Sequence, residues 1–238
     1  MNASDDDAVL AAWRRNAAPW TQAVRAGGIE SRRLATDRAI VDAVLRQAPR
    51  QVLDLGCGEG WLARALSAHG VEVTGTDAVA ELIEAARAAG TGERYLSLSY
   101  AQIAQGALDG RYDLAVCNFS LIGEHEVEAL LGALPGLLHE DGHAIVQTLH
   151  PLSAGTGLPY ADGWRAGSWA GCEGDFADPA PWYFRTLGGW FAVFERCGLR
   201  VVELEEPIHP GSGQPASLIL IARLKSRGPG LIRNRKMR

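Results

Sequence analysis

Two carboxylates and three glycines set the chemistry open to this chain. Asp54 sits in the apolar run Val52-Leu53-Asp54-Leu55, and glycine then occupies positions 56, 58 and 60. Asp77 closes a second run, Val71-Glu72-Val73-Thr74-Gly75-Thr76. Glycines at alternate positions let a ligand lie against bare backbone, and N–H groups at the start of a following helix serve its negatively charged groups. A carboxylate at the tip of the neighbouring parallel strand accepts hydrogen bonds from a ribose diol. The competing role for Asp77 is to cap the helix that starts near Val79. Together these residues describe a nucleoside site, not a dinucleotide site. The dinucleotide fingerprint needs glycine or alanine at position 61, and this chain has Trp61 there.

Such residues need a sheet to hold them. Apolar runs bounded by turn residues predict strands at 51–55, 72–77, 94–98, 112–118, 142–149, 200–205 and 217–224. Helical spacing predicts helices at 8–26, 31–47, 63–69, 79–89, 124–138 and 187–197. The fold class is α/β: one Rossmann-like, doubly wound sheet with N-terminal helices. Ligands in such sheets bind outside the carboxyl ends of the strands. That places 54–60, 77, 97–100, 118–121 and 148–151 around one crevice.

The segment 51–77 resembles the cofactor-binding half of the class I methyltransferases that use S-adenosylmethionine. Asp54, Gly56, Gly58, Gly60 and Asp77 carry the resemblance, which extends loosely over 40–224. It implies a mostly parallel sheet with a final strand inserted antiparallel. It also implies S-adenosylmethionine as cofactor, S-adenosylhomocysteine as product, and no metal. Cofactor contacts are expected from Asp54, Gly56, Cys57, Gly58, Gly60, Asp77, Ala78, Ser99, Tyr100, Asn118 and Phe119. After the third strand the family commonly has an acid facing the adenine amino group. This chain has Ser97-Leu98-Ser99-Tyr100-Ala101-Gln102-Ile103 instead, leaving Ser99 to hydrogen-bond and Ile103 to pack. Asn118 faces the methionine part or simply caps its strand; both readings stay open.

The acceptor pocket is expected from parts added to the shared core. Ten of the 17 aromatics fall in the 44 residues 151–194, directly after the fifth strand. A long aromatic insertion suits an apolar or planar small molecule. Tyr160, Trp164, Trp182 and Tyr183, with Trp169 beside them, are the expected lid, and Trp13 and Trp20 of the first helix close the other side. Trp190, Phe191 and Phe194 have helical spacing and are expected in the core. His150, at the end of the fifth strand, is the candidate general base, ahead of His125 and His209. Arg32 and Arg33 are candidates for the cofactor carboxylate, or a solvated helix entry.

Composition narrows the classes. A chain of 238 residues with 47% hydrophobic content can bury a full core as one domain over 1–224, with 1–48 as a helical cap and 150–186 as a substrate lid. Residues 223–238 hold seven basic groups, leaving 16 basic against 28 acidic residues elsewhere. An acidic body argues against nucleic acid, and a basic tail from 225 onward reads as solvated. No apolar stretch is long enough to span a bilayer, and the acidic start Met1-Asn2-Ala3-Ser4-Asp5-Asp6-Asp7 is unlike an export signal. Cys57, Cys117, Cys172 and Cys197 lack metal spacing, so reduced thiols in the cytoplasm are expected. The predicted function is methyl transfer to an O, N or C atom of a small aromatic or lipophilic metabolite. The alternatives are a non-catalytic sensor or partner subunit, and a protein or RNA acceptor. The oligomeric state is left open.

Overall fold

In the computed structural model, which describes residues 5–154 and 157–225, helices cover both faces of a seven-stranded sheet. In chain order the strands are β1 (Gln51–Leu55), β2 (Glu72–Asp77), β3 (Arg94–Ser97), β4 (Tyr112–Asn118), β5 (Leu138–Thr148), β6 (Gly163–Arg165), β7 (Trp182–Phe184), β8 (Leu199–Glu205) and β9 (Leu218–Leu224). The main sheet runs β3-β2-β1-β4-β5-β9-β8, and β6 and β7 form a separate hairpin. The first five strands pair in parallel, whereas β9 runs antiparallel to both β5 and β8. The antiparallel insertion expected from the family resemblance is therefore present. Strand order reverses between β1 and β4, where Asp54 lies between Gly75 and Val116. That switch point opens a crevice at the strand tips.

The helices are α1 (Asp5–Ala26), α2 (Asp37–Leu45), α3 (Trp61–Ser67), α4 (Ala80–Ala89), α5 (Tyr100–Ala104), α6 (His125–Leu137), α7 (Pro151–Ala154) and α8 (Leu187–Arg196). Because β1 is buried on both faces, alternate residues feed opposite cores. Leu53 and Leu55 pack with Leu130, Leu131, Trp190 and Phe194 from α6 and α8. Val52 packs with Ile40, Leu62 and Ile83 from α2, α3 and α4. Each such side chain, fully buried, contributes about 1.5–3 kcal/mol. α1 lies across the strand tips, where Ala17 joins Val79 of the β2–α4 connection and Leu82 of α4.

Several elements differ from the sequence expectation. The helix expected over 31–47 begins as a π-helical turn, Arg32–Thr36, before α2. α5 is a helix that the sequence reading did not assign; Ser99 accepts the Gln102 N–H at 3.2 Å while the Gln102 side chain accepts the Ser99 N–H at 2.9 Å, closing a capping box. β5 starts four residues earlier than expected, at Leu138. Trp190 and Phe194 are buried as expected, but Phe191 is 43% exposed. One residue beyond Trp190, it is turned about 100° away from the core. Of the basic tail expected over 225–238, only Lys225 is described, and its Nζ donates to the Glu195 carbonyl at 2.9 Å; 226–238 lie outside the described residues.

Candidate functional site

Two tight connections and one helix make the site. Gly56, Gly58 and Gly60 follow β1 with φ of +72°, +56° and +83°, the left-handed region that side chains resist. A Cβ on Gly56 would run into Ser120 Cβ and the Tyr100 hydroxyl. Gly60 is small for a different reason: Tyr95 and Ala86 pack where its Cβ would stand. Asp77, at the tip of β2, accepts the N–H of Gly58 through Oδ2 and of Val79 through Oδ1, each at 2.9 Å. The carboxylate thus pins the glycine turn to the connection before α4, whose N-cap is Val79 and not Asp77. Each oxygen, with one backbone donor, keeps capacity to accept a further bond.

These residues open on a cleft of about 820 Å³, counting its mouth, at the β1/β4 switch point. Gly56, Gly58, Asp77, Ala78, Tyr100, Asn118 and Phe119 line it, joined by Trp13 and Trp20 from α1. Phe119 adopts φ +53°, unusual for a bulky residue and held by its N–H bond to the Gln147 carbonyl at 2.8 Å. Tyr100 donates to the Ser120 carbonyl at 3.1 Å, and Ser120 Oγ to the Leu55 carbonyl at 2.6 Å, stitching β1, β4 and α5 together beneath the cleft.

The other expected cofactor residues stand behind this surface. Asp54 is 1% exposed and does not line the cleft. Burial, then the charge of Asp77, pushes its carboxyl up to about 7. Asp77 is raised by burial and pulled back by the N–H groups of Val79, Gly58 and Ala78. Cys57 and Cys117 are buried, and burial pushes both thiols up, so neither acts as a thiolate at neutral pH. Gly60 starts α3, and Ser99 is used as the cap of α5.

His150 is held elsewhere. Its Nδ1 accepts the Leu152 N–H at 3.2 Å, and its Nε2 lies 2.8 Å from Glu206 Oε1. An imidazole accepting at Nδ1 carries its proton at Nε2, toward Glu206. It does not line the cleft. Arg32 is buried over the Trp61 ring at 4.6 Å and bonds Asp37 at 2.9 Å, also away from the cleft. The indole that replaces the dinucleotide glycine is thus a platform for a guanidinium.

The expected lid divides in two. Tyr160, Trp164, Trp182 and Tyr183 belong to the β6–β7 hairpin and its surroundings, not to the cleft lining. Trp164 Nε1 donates to Glu124 at 3.1 Å, and the Tyr183 N–H to the Ile122 carbonyl at 2.8 Å. The insertion reaches the roof through Trp169, which stacks on Phe176 and meets Trp13 edge-on at 5.6 Å. Sequence reasoning missed the mouth of the cleft, formed by Asp6, Val9 and Leu10 of α1 and by Ile122, Glu126 and Val127 around α6. Asp6 accepts the N–H of Glu124 and His125 at 2.9 and 3.2 Å, capping α6 from another helix. Burial, then Asp6 and Asp7, raises the Glu126 carboxyl.

Known proteins share this fold. A methyltransferase-domain family profile matches residues 30–204. The chain is 31% identical over 105 residues to a ubiquinone biosynthesis O-methyltransferase of Pectobacterium carotovorum, covering 42% of this chain and 44% of that one. It is 33% identical over 130 residues to a demethylmenaquinone methyltransferase of Thermus thermophilus, covering 52% and 58%. The chain therefore spans about half the length of the curated relatives it matches. In fold it is similar to an S-adenosylmethionine-dependent methyltransferase from Mesorhizobium loti (TM-score 0.59, 23% identity, 78% of this chain and 96% of that). It is also similar to the 1,6-didemethyltoxoflavin-N1-methyltransferase of Burkholderia thailandensis, solved with 1,6-didemethyltoxoflavin and S-adenosylhomocysteine (TM-score 0.57, 21% identity, 79% and 76%). With a glycine turn, a pinned strand-tip acid and an inserted antiparallel strand in place, and a family profile over most of its length, the chain belongs to the methyltransferase-domain family.

Proposed function

We propose that this chain transfers a methyl group from S-adenosylmethionine to an oxygen, nitrogen or carbon atom of a small, largely apolar acceptor. The observation that carries this reading is the convergence, in one switch-point cleft, of the glycine turn, the pinned Asp77 carboxylate and the Trp-bearing side of α1. An adenosyl group with a charged tail fits the residues present. Gly58 leaves bare backbone, with only Trp20 Nε1 near its Cβ position, Asp77 keeps acceptor capacity for ribose hydroxyls, and Asn118 Oδ1 and Trp13 Nε1 are buried without partners among the described residues. On this reading Asp77 holds the ribose, Gly56 and Gly58 receive the methionyl part, and Ala78, Val79 and Leu82 pack on the nucleoside.

The bound sulfonium supplies an already activated methyl group. The protein's task is then to place the acceptor in line and exclude water. Val9, Leu10, Trp13, Ile122 and Val127 offer an apolar wall for an acceptor, and Trp13 and Trp20 close the roof. Asp6 and Glu126 are the charged side chains at the mouth, and no Lys, Arg or His lines the cleft among the described residues. A site of that polarity favours a neutral or cationic acceptor over an anion. Glu126 takes the proton-accepting role that His150 was expected to fill, since its raised carboxyl lies closer to the working range of a base. Relatives named for ubiquinone and demethylmenaquinone steps support a planar, lipophilic acceptor. All four cysteines are unpaired, which suits a reducing compartment, and we place the chain in the cytoplasm.

The test is a release assay for S-adenosylhomocysteine with neutral phenols, amines and their carboxylate counterparts, alongside calorimetry with S-adenosylmethionine. Turnover should be confined to neutral or cationic members. Turnover only with carboxylates would overturn the acceptor reading, and no binding of S-adenosylmethionine at millimolar concentration would overturn the whole.

A further inference from the structure

Arg25 stands at the end of α1, just before the Gly27 turn with φ +70°. Its Nε donates to Glu59 Oε2 at 2.9 Å, and its Nη2 donates to the Ala85 carbonyl at 2.9 Å. Glu59 lies inside the glycine turn, between Gly58 and Gly60, with its side chain 0% exposed. It already has a partner on α3. Arg64 Nη2 reaches both carboxylate oxygens, at 2.9 and 2.8 Å, and Arg64 Nη1 donates to the Glu59 carbonyl at 2.6 Å. One buried carboxylate held on both oxygens by one guanidinium is compensated. The second guanidinium therefore does something other than neutralise it.

What it does follows from where its donors go. Glu59 belongs to the turn after β1, and Ala85 belongs to α4, which leads from Asp77. Both elements contribute to the cleft lining, the turn through Gly56 and Gly58 and α4 through Leu82. α1, the element that carries Arg25, crosses above them and puts Trp20 Nε1 3.6 Å from where a Gly58 Cβ would stand. A planar fork bonded to both the turn and α4 fixes their separation and the seat of α1 above them together. We propose that Arg25 is a positioning residue for the cofactor, locking α1 down while it spaces the glycine turn from α4.

The proposal rests on the reading of the cleft as a cofactor site. Its test is calorimetric titration of S-adenosylhomocysteine into the full chain and into Arg25→Ala and Arg25→Gln, the latter keeping most of the aliphatic stem. Binding by the parent chain reports on the cleft itself, and the ratio of variant to parent reports on Arg25. Both variants should bind roughly tenfold more weakly. Their Tm should move little, because Arg25 is 43% exposed and Glu59 keeps Arg64. Arg25→Lys, which can meet the turn or α4 but not both in a fixed fork, should fall between. A Kd within about twofold of the parent in both variants, with or without a lowered Tm, overturns the proposal.

Discussion

Asp54 shows how one buried side chain can make binding depend on pH without touching the ligand. Its carboxyl is raised to about 7 by burial first and by Asp77 second. Below that value the folded protein holds it as the neutral acid, and above it as the carboxylate. An unfolded aspartate ionises near 4, so this group lowers folded stability as pH rises from about 4 to about 7. Binding reverses the preference. On the proposed reading S-adenosylmethionine brings one net positive charge, its sulfonium, to the cleft, its ammonium and carboxylate offsetting each other; that charge favours the Asp54 carboxylate, so binding below pH 7 expels a proton. Affinity should therefore climb from about pH 5.5 toward 7 by up to about tenfold per pH unit, then level. Asp54→Asn should flatten the curve, and the uncharged sulfide product should show a shallower one. Calorimetry of both ligands over that range checks it; parallel curves for parent and variant would remove Asp54 from the account. At this scale the glycine turn and Asp77 were legible because positive φ and strand-tip acids leave few residue choices. Asp6 and Glu126 were not, because the partners of Asp6 lie 118 and 119 residues away and only the fold brings them together.

Among the elements, α1 and the insertion are one structure joined at a buried amide. Asn16 is 0% exposed. Its Nδ2 donates to the Ala12 carbonyl at 2.9 Å and reaches the Asp178 carbonyl at 3.5 Å, while its Oδ1 accepts the Ala177 N–H at 2.8 Å. Beside it, Trp13 of α1 meets Trp169 edge-on, and Trp169 stacks on Phe176 within the insertion. Asn16→Ala strands the Ala177 N–H and should cost about 1–3 kcal/mol. The loss should be local. Hydrogen exchange should quicken in 166–181 and in the first half of α1 while β1, β4 and β5 keep their protection. Uniform quickening across the sheet would show that the amide supports the whole fold and is no joint. The spacing of Trp13, Trp20 and the insertion aromatics predicted a roof and a lid, but not which rings meet. The β6–β7 hairpin uses short strands of three residues each, below the length at which periodicity is readable. The π-helical turn at 32–36 is hidden for a related reason: its residues satisfy a helical pattern, and Arg32 seated on Trp61 is a tertiary contact.

Across the whole molecule, the alternation of apolar runs and helical stretches made the strands of the main sheet readable, whereas the antiparallel place of the last one came from the family resemblance. The same arrangement ties ligand binding to global stability. The cleft draws its lining from α1, the β1 and β2 tips, α5 and the β4–α6 connection, so a ligand there bridges segments from residue 6 to residue 127. A ligand that binds the folded chain and not the unfolded one stabilises it by about 2.7 kcal/mol at a hundred times its Kd. For a chain of 238 residues, 1 kcal/mol moves Tm by about 2–4 °C, so S-adenosylhomocysteine at that excess should raise Tm by about 5–10 °C. NAD should give no comparable shift, since Trp61 fills the position where a dinucleotide site needs glycine. Thermal unfolding with each ligand separates the two cases. An equal shift from both would mean the cleft recognises adenosine alone, with the glycine turn contributing nothing to the choice of tail.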